Sequence, residues 1–231
     1  MKTFVMFMAV LSLNLTIQNA WAGTWQRNNS DTISFRGKID DGEYDKFLKV
    51  FDADVKNMIV TSGGGNVFEA IKIAEVLEKS DITIRVRIWC LSSCANYFFT
   101  AAKTKIIEKG IVGYHGNSHA CFAKNYVSDD AIQKLREKYK GYGMNAEQIE
   151  MAISMATEMD RREQGLLKRL GVSQDLFVRT CTADKGMNDG KGYDFLLPTP
   201  ATFEKYGIKN VVGIQDQETI EWYSMGELVV D

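Results

Sequence analysis

Several features that mark other classes of protein are scarce or absent in this chain of 231 residues. Proline occurs twice, at Pro198 and Pro200, so no proline-rich linker divides the chain, and no internal repeat is present. One domain is therefore the simplest interpretation. An excess of basic residues is also absent, since 28 Lys and Arg face 30 Asp and Glu. This balance gives no reason to expect nucleic acid or an anionic membrane surface as a partner.

No hydrophobic run reaches the length of a membrane span. The apolar stretch at residues 4–15 is shorter than the roughly 20 residues that a spanning helix needs. It follows Lys2 and precedes the sequence A-W-A, which ends at Ala22 and is typical of a signal-peptide cleavage site. We therefore predict a signal peptide over residues 1–22, cut after Ala22, and a periplasmic or secreted mature chain of residues 23–231. The rival interpretation is an uncleaved N-terminal anchor.

Cysteine is limited to four positions, Cys90, Cys94, Cys121 and Cys181. In an exported protein an even number suggests disulfides, and four cysteines allow three pairings. Cys121 and Cys181 each lie in a polar stretch, so we favour a bridge between them. A zinc site is a weaker alternative, because the C-x-x-x-C spacing has no second pair and no H-x-x-x-H beside it. We expect no metal.

Alternating strand and helix patterns predict an α/β fold. Five segments follow one another in the sequence. They are a β-branched run at residues 57–61, an amphipathic helix at 67–79 capped by Asn66 and Glu69, a second β-rich run at 82–89, an apolar helical run at 95–102 and a third strand at 106–114. This order implies βαβ units and a largely parallel sheet. The segments before and after it, residues 23–31 and 116–126, are polar and are expected to be irregular.

Two further helices are predicted to form a helical arm over residues 128–170. Ser128 is a candidate N-cap of the first helix, with acidic side chains in its first turn. Asn145 and Gln148 have the spacing of a capping box, which opens a long helix that Gly171 ends.

Three consecutive glycines, Gly63, Gly64 and Gly65, follow the first buried strand. Because glycine has no Cβ, such a loop lets the backbone approach a ligand closely, and its N–H groups can face an anion. The loop has neither the G-K-S/T ending of a phosphate-binding loop nor the G-x-G-x-x-G pattern. A tight turn without further function is the simpler alternative.

A serine pair and a histidine carry the chemistry of the next stretch. Ser92 and Ser93 lie between a β-rich run and an apolar helical run, and His115 ends the strand that follows. This arrangement is typical of a nucleophile and its general base. The N–H groups of Gly65 and of the residue after the nucleophile can then form an oxyanion hole. The simpler alternatives are a helix cap and a structural histidine.

Three motifs in this order resemble those of the ClpP/crotonase-like superfamily. S-G-G-G-N-V-F-E-A-I-K-I-A is similar to its glycine segment, with Gly63 in place of the usual proline. C-L-S-S-C-A-N-Y-F-F-T-A-A resembles the nucleophile segment of the exported ClpP-like serine proteases, and G-I-V-G-Y-H-G their histidine strand. With the tail L-P-T-P-A-T-F-E-K-Y-G-I-K-N-V-V, the resemblance covers roughly residues 32–214. It implies a ClpP/crotonase-like fold of repeated βαβ units with a helical arm.

The resemblance also implies roles for individual residues. Ser92 aligns with the nucleophile and His115 with the general base, while the N–H groups of Gly65 and Ser93, with Gly64 beside them, align with the oxyanion hole. Because Ser93 also has a hydroxyl group, either of the two neighbouring serines could be the nucleophile. We prefer Ser92, because it lies two residues from each flanking cysteine.

The third catalytic residue and the base have alternatives. Family position favours Asp189 as the third member, or Asp194, and makes Asp184 and Asp160 poorer candidates. A Ser–Lys dyad, as in signal-peptide peptidases of the superfamily, would instead recruit Lys103 or Lys105. The second histidine, His119, is expected to be a loop residue without a role.

The expected function is that of an exported serine peptidase. Ser92 would form an acyl-enzyme with a peptide or protein substrate, with no cofactor, and the resemblance implies a homo-oligomer, because the corresponding arm mediates self-assembly in related proteins. The first alternative is a catalytically inactive ClpP-like binding or scaffold protein. The second is a thioester-using crotonase-type enzyme, against which export away from the coenzyme A pool argues.

Overall fold

A seven-stranded, largely parallel sheet forms the centre of the protein. The computed structural model describes residues 22–122, 129–181, 195–216, 218 and 226–228. The strands are β1 (Thr24–Arg27), β2 (Thr32–Arg36), β3 (Asn57–Ser62), β4 (Thr83–Leu91), β5 (Thr104–Ile107), β6 (Ile111–Gly113), β7 (Leu196–Pro198), β8 (Val211–Val212) and β9 (Gly226–Leu228). The main sheet has the order β1-β2-β3-β4-β5-β8, with β6 also paired to β4, and β7 pairs with β9 in a second sheet. This arrangement confirms the α/β class. The predicted signal peptide, apart from Ala22, lies outside the described residues.

Helices connect these strands. They are α1 (Glu43–Leu48), α2 (Val67–Leu77), α3 (Ser118–Phe122), α4 (Asp129–Gly141), α5 (Ala146–Leu170), α6 (Asp175–Cys181), α7 (Pro200–Lys205) and a π-helix, Cys94–Phe99, which we term the serine helix. Within the described ranges, none of the helices combines the length and the apolar character that crossing a membrane requires.

The nine-residue strand β4 sets the position of the later strands. It pairs with β3 on one side and with β5 and then β6 on the other. The prediction of one strand over residues 106–114 is therefore wrong. The chain breaks at Gly110, where a Cβ would lie 2.8 Å from the carbonyl oxygen of Ile88. Since Gly113 of β6 lies opposite Leu91 of β4, the residues that follow these two strands come together.

Two segments expected to be irregular are ordered instead. Residues 24–27 form β1, which pairs antiparallel with β2. The Trp25 ring packs against Phe35 and Phe47, with centroid distances of 4.5 and 5.1 Å. Within residues 116–126, α3 forms because the Asn117 side-chain oxygen accepts the N–H of Ala120 at 2.7 Å. The first segment is thus fixed by partners that are more distant in the sequence, and the second begins with a local cap.

The two predicted capping boxes differ in outcome. At α5 both reciprocal bonds between Asn145 and Gln148 are present, and Gly171 ends the helix in the left-handed conformation with φ 69°. At α2 the side chain of Asn66 accepts the Glu69 N–H at 3.1 Å, as predicted. The Glu69 carboxylate, however, accepts the N–H of Tyr44 at 2.8 Å, and so the return bond of the box is not made.

Candidate active site

Ser92 lies in a sharp turn between β4 and the serine helix. Its φ of 54° is in the left-handed region, which residues other than glycine rarely adopt. Two backbone bonds hold the turn: the Ser92 N–H donates to Gly113 O at 3.0 Å, and the Ser92 carbonyl accepts the Asn96 N–H at 2.8 Å. The fully buried side chains of Phe98 and Phe99 anchor the helix behind it. A strained conformation that its surroundings hold in place is typical of functional sites.

Both cysteine pairs form disulfides. Cys121 is bonded to Cys181, the pairing favoured from the sequence, and this bridge joins α3 to α6. Cys90 is bonded to Cys94 across the turn that contains Ser92. The two bridges therefore lie on the serine side and on the histidine side of the same site.

The side chain of His115 reaches Ser92. The Ser92 Oγ lies 2.6 Å from Nε2 of His115. When Nδ1 carries the imidazole proton, the serine hydroxyl donates to Nε2, which is the geometry that proton abstraction needs. The edge of the His115 ring also packs against Phe195, with a centroid distance of 5.0 Å. By contrast, the Ser93 hydroxyl donates to Gly65 O at 2.8 Å, so of the two neighbouring serines it is Ser92 whose hydroxyl meets the histidine.

The glycine loop lies directly against the serine turn. Gly64 has φ 88°, and a Cβ at this position would lie 2.7 Å from the Ser92 Cβ and 2.8 Å from the Ser93 nitrogen. The Gly64 N–H donates to Ser62 Oγ at 3.1 Å, so it is already used. The N–H groups of Gly65 and Ser93, in contrast, donate to no acceptor within the ranges that the structure describes. These two N–H groups are therefore the candidate anion donors of the site, and Gly64 serves as the residue that permits close contact.

A buried carboxylate connects the serine helix to the segment after His115. Glu163 of α5 is fully buried and accepts the Tyr97 hydroxyl, and its other oxygen accepts the His119 N–H at 2.7 Å. Burial raises the pKa of Glu163, although the bonds from Tyr97 and His119 act in the opposite direction. Burial and the charge of Glu163 raise the pKa of Tyr97 well above its ordinary value.

His119 has a structural partner, contrary to the prediction that it is a loop residue without a role. It lies in α3, and its Nδ1 is 2.7 Å from Oδ1 of Asp160. The second oxygen of Asp160 accepts the side-chain N–H of Gln164 at 2.6 Å. Asp160 is thus engaged with His119, which supports its low rank as the third catalytic residue. Asp184, Asp189 and Asp194 lie outside the described residues.

The Ser–Lys alternative is wrong. Lys105 lies opposite Ile84 on β4, and Ser92 follows eight residues further along, a separation of about 26 Å at about 3.3 Å per strand residue. Its ammonium group donates to the carbonyl oxygens of Ala102 at 2.6 Å and of Lys209 at 3.1 Å. Burial lowers the pKa of Lys105 to about 8 without bringing it near the serine.

Lys103 is no closer to fulfilling that role. Its ammonium group forms an ion pair with Asp81, at the same end of the sheet as Lys105. The base that contacts Ser92 is consequently the histidine.

Comparison with known proteins gives distant likenesses. No model of a known protein family matches the chain, and no curated protein matches it. Among solved structures, a mutant of 1510-N, a membrane-bound stomatin-specific protease, is similar over 81% of this chain and 81% of its own, at 13% identity and a TM-score of 0.43. A probable enoyl-CoA hydratase/isomerase from Mycobacterium abscessus is similar over 71% of this chain and 82% of its own, at 8% identity and a TM-score of 0.30. Because these values are low, the α/β class rests on the sheet and helices of the chain itself.

Two residues around the site were not singled out from the sequence. Asn96 is the polar member of the otherwise apolar run A-N-Y-F-F, and Glu163 lies on the face of α5 that also carries Met159, Leu166 and Leu167. A polar or charged side chain within an apolar stripe is the signal that could have identified both, because such groups are rarely buried without a partner.

Proposed function

We propose that this chain is an exported ClpP-like serine peptidase that cleaves peptide bonds through an acyl-enzyme on Ser92. The observation that carries the proposal is the 2.6 Å contact between Ser92 Oγ and His115 Nε2, made at a left-handed serine turn. The glycine loop against that turn and the order of the three motifs support it. The two disulfides support a periplasmic or secreted location, since such bonds persist in oxidising compartments.

In the proposed mechanism His115 and Ser92 act as a base and a nucleophile. As Oγ attacks the peptide carbonyl carbon, Nε2 of His115 takes the hydroxyl proton. The resulting oxyanion accepts hydrogen bonds from the N–H groups of Gly65 and Ser93, and one such donor is worth about 10²–10³ in rate. Collapse expels the amine, which takes the proton from His115, and leaves an ester on Ser92. Water then attacks the ester with His115 as base, releasing a carboxylic acid and restoring the serine.

Asp189 remains our preferred third member, with Asp194 as the alternative. The mechanism uses no metal or other cofactor in any step. A homo-oligomer assembled through the helical arm also remains a proposal, and the substrate is proposed only as a peptide or protein.

A fluorophosphonate probe tests the proposal without requiring the substrate. Attack by Ser92 Oγ on phosphorus forms an O–P bond and releases fluoride, with the proton passing to His115. We expect one adduct, mapped by peptide mass spectrometry to Ser92 and not to Ser93. Ser92→Ala should abolish it and His115→Ala should reduce it at least about 1,000-fold, the scale on which triad members act.

Ser80→Ala is the matched control, because the Ser80 hydroxyl bonds to Val76 O at the end of α2, away from the site. It should label like the natural protein. If the folded natural protein forms no adduct at Ser92, the peptidase proposal fails and the inactive binding or scaffold protein is the better interpretation. A Ser92→Ala variant that keeps peptide hydrolysis at the natural rate would contradict the proposal equally.

A further inference from the structure

One side chain of the serine helix is bonded to the segment that carries the histidine. Residues 115–122, which we term the base loop, begin at His115 and include α3. Asn96 is 3% exposed, and its Nδ2 donates to Gly116 O at 2.7 Å. The backbone N–H of the same residue donates to the Ser92 carbonyl at 2.8 Å. Asn96 therefore contacts the backbone of the nucleophile and the backbone next to the base.

We propose that Asn96 is a positioning residue, which holds His115 within reach of Ser92 through the Gly116 carbonyl. The inference rests on the proposed function and assigns a further residue to it. Asn96 touches neither the substrate nor the reacting atoms, so its effect is exerted through the orientation of the Gly116–Asn117 peptide, which directly follows His115 and Gly116.

The bond from Asn96 to the Gly116 carbonyl is made at a tightly packed glycine. Gly116 has φ 95°, and a Cβ there would lie 2.2 Å from the Cys121 sulfur and 2.9 Å from the Cys181 Cα, so the base loop packs tightly against the Cys121–Cys181 bridge. The buried Nδ2 donor of Asn96 favours the orientation of the Gly116–Asn117 peptide in which the carbonyl faces the serine helix. Removal of that donor would leave a buried carbonyl without this partner, which is unfavourable and would favour reorientation of the peptide.

The rate should respond strongly to this reorientation. The Ser92–His115 contact is a single hydrogen bond, and a displacement of about 1 Å at a reacting pair can reduce the rate about 100-fold. The π-helical form of the serine helix, in which the Thr100 N–H bonds to Ala95 O five residues back, is itself common at functional sites.

Three variants test the proposal. Asn96→Leu has nearly the same shape as asparagine and no donor. Asn96→Asp has a donor only when its carboxyl group is protonated. Thr100→Val is the matched control, because it removes a buried hydroxyl from the same helix, bonded to Ala95 and Tyr114 and not to the base loop.

The first readout is the rate of fluorophosphonate labelling at Ser92, measured on folded protein well below its melting temperature. We expect Asn96→Leu to label about 100-fold more slowly than the natural protein, and Thr100→Val to stay within about threefold. For Asn96→Asp, the rate relative to the natural protein should rise as pH is lowered, because protonation restores the donor. Equal losses in Asn96→Leu and Thr100→Val, or a natural rate in Asn96→Leu, would overturn the proposal.

The second readout does not depend on catalysis. The chain contains two histidines, so NMR gives two imidazole Cε1–H signals, and His115→Ala identifies one of them. We expect the His115 signal to move in Asn96→Leu and in Asn96→Asp at neutral pH, and to stay in place in Thr100→Val. If the natural protein is never labelled, the peptidase proposal fails, yet this signal still decides the positioning role. A His115 signal that is unchanged in both Asn96 variants excludes it.

Discussion

The serine turn and the base loop meet at one site but are held in different ways. The turn is held mainly by its own neighbourhood, through the backbone bond to Asn96 and a disulfide between residues four apart in sequence, together with one bond to Gly113 of β6. The base loop depends on distant partners, namely Asn96 of the serine helix, Glu163 of α5 and a disulfide between residues 60 apart. The nucleophile is thus placed by local structure and the base by tertiary contacts, and the base should be the easier of the two to displace.

Among substitutions that leave Ser92 and His115 in place, we expect the largest loss of Ser92 labelling where the glycine loop contacts the serine turn. Gly64→Ala places a methyl group 2.7 Å from the Ser92 Cβ, at a φ of 88° that alanine adopts with strain. We expect labelling of Ser92 to fall below about 1% of the natural rate, and the free energy of unfolding to fall by about 1–3 kcal/mol, as for other overpacked sites. Fluorophosphonate labelling and urea unfolding measure the two quantities.

Gly63→Ala is the control for that experiment. A Cβ at Gly63 meets nothing within 4 Å, so this variant should fold and label much like the natural protein. Similar losses in both variants would mean that the loop needs flexibility as such, and would contradict the contact between Gly64 and the serine turn as the cause.

Removing each disulfide in turn tests the serine turn and the base loop independently. With the cysteines replaced by serine in pairs, loss of Cys121–Cys181 should reduce the free energy of unfolding by about 4 kcal/mol and loss of Cys90–Cys94 by about 2 kcal/mol, because the longer loop restricts the unfolded chain more. In folded protein, loss of Cys121–Cys181 should also slow Ser92 labelling at least about tenfold, since the base loop loses an anchor. Stability is measured by denaturant unfolding.

The pair Cys90–Cys94 provides the comparison within that experiment. Its loss should slow labelling less, because the backbone bonds of the Ser92 turn remain. If its removal slows labelling more than removal of Cys121–Cys181, the view that the base loop is the more easily displaced region is incorrect.

The parts of the site that could be predicted from the sequence are those with local signals. A β-rich run, a serine pair and an apolar run predict a strand, a turn and a helix around Ser92, and the glycines mark the place where another backbone comes close. The capping box at Asn145 and Gln148 was equally local, and both of its bonds are present. Such features are set by residues within a few positions of one another.

The features that were missed depend on partners far away in the chain. The break between β5 and β6 is fixed by the approach of Gly110 to the backbone of Ile88, although the sequence E-K-G at residues 108–110 is a local turn signal that could have marked it. Helix α3 lies in a polar stretch and is held in part by the Glu163 carboxylate and the bridge to Cys181. Tertiary contacts of this kind override local propensity.

The smallest effect is expected at Glu163, which links the helical arm to the base loop. It is a change in how the free energy of unfolding depends on pH. Burial raises the folded-state pKa of Glu163 above 4.5, its ordinary value, so the folded protein keeps a proton that the unfolded chain has already released. Its contribution to stability is therefore complete below about pH 4.5 and is lost as pH rises through the folded-state pKa. Glu163→Gln should remove this part of the pH dependence, as measured by thermal unfolding between pH 4 and pH 8.

Tyr97→Phe should act in the opposite direction from Glu163→Gln. The Tyr97 hydroxyl bond lowers the pKa of Glu163, so its removal should extend the loss of stability to higher pH. Because Glu163 also accepts the His119 N–H, Ser92 labelling should change in step with this titration if the arm helps to hold the base loop. A pH dependence of unfolding that is identical in the natural protein and both variants would show that Glu163 does not titrate in this range.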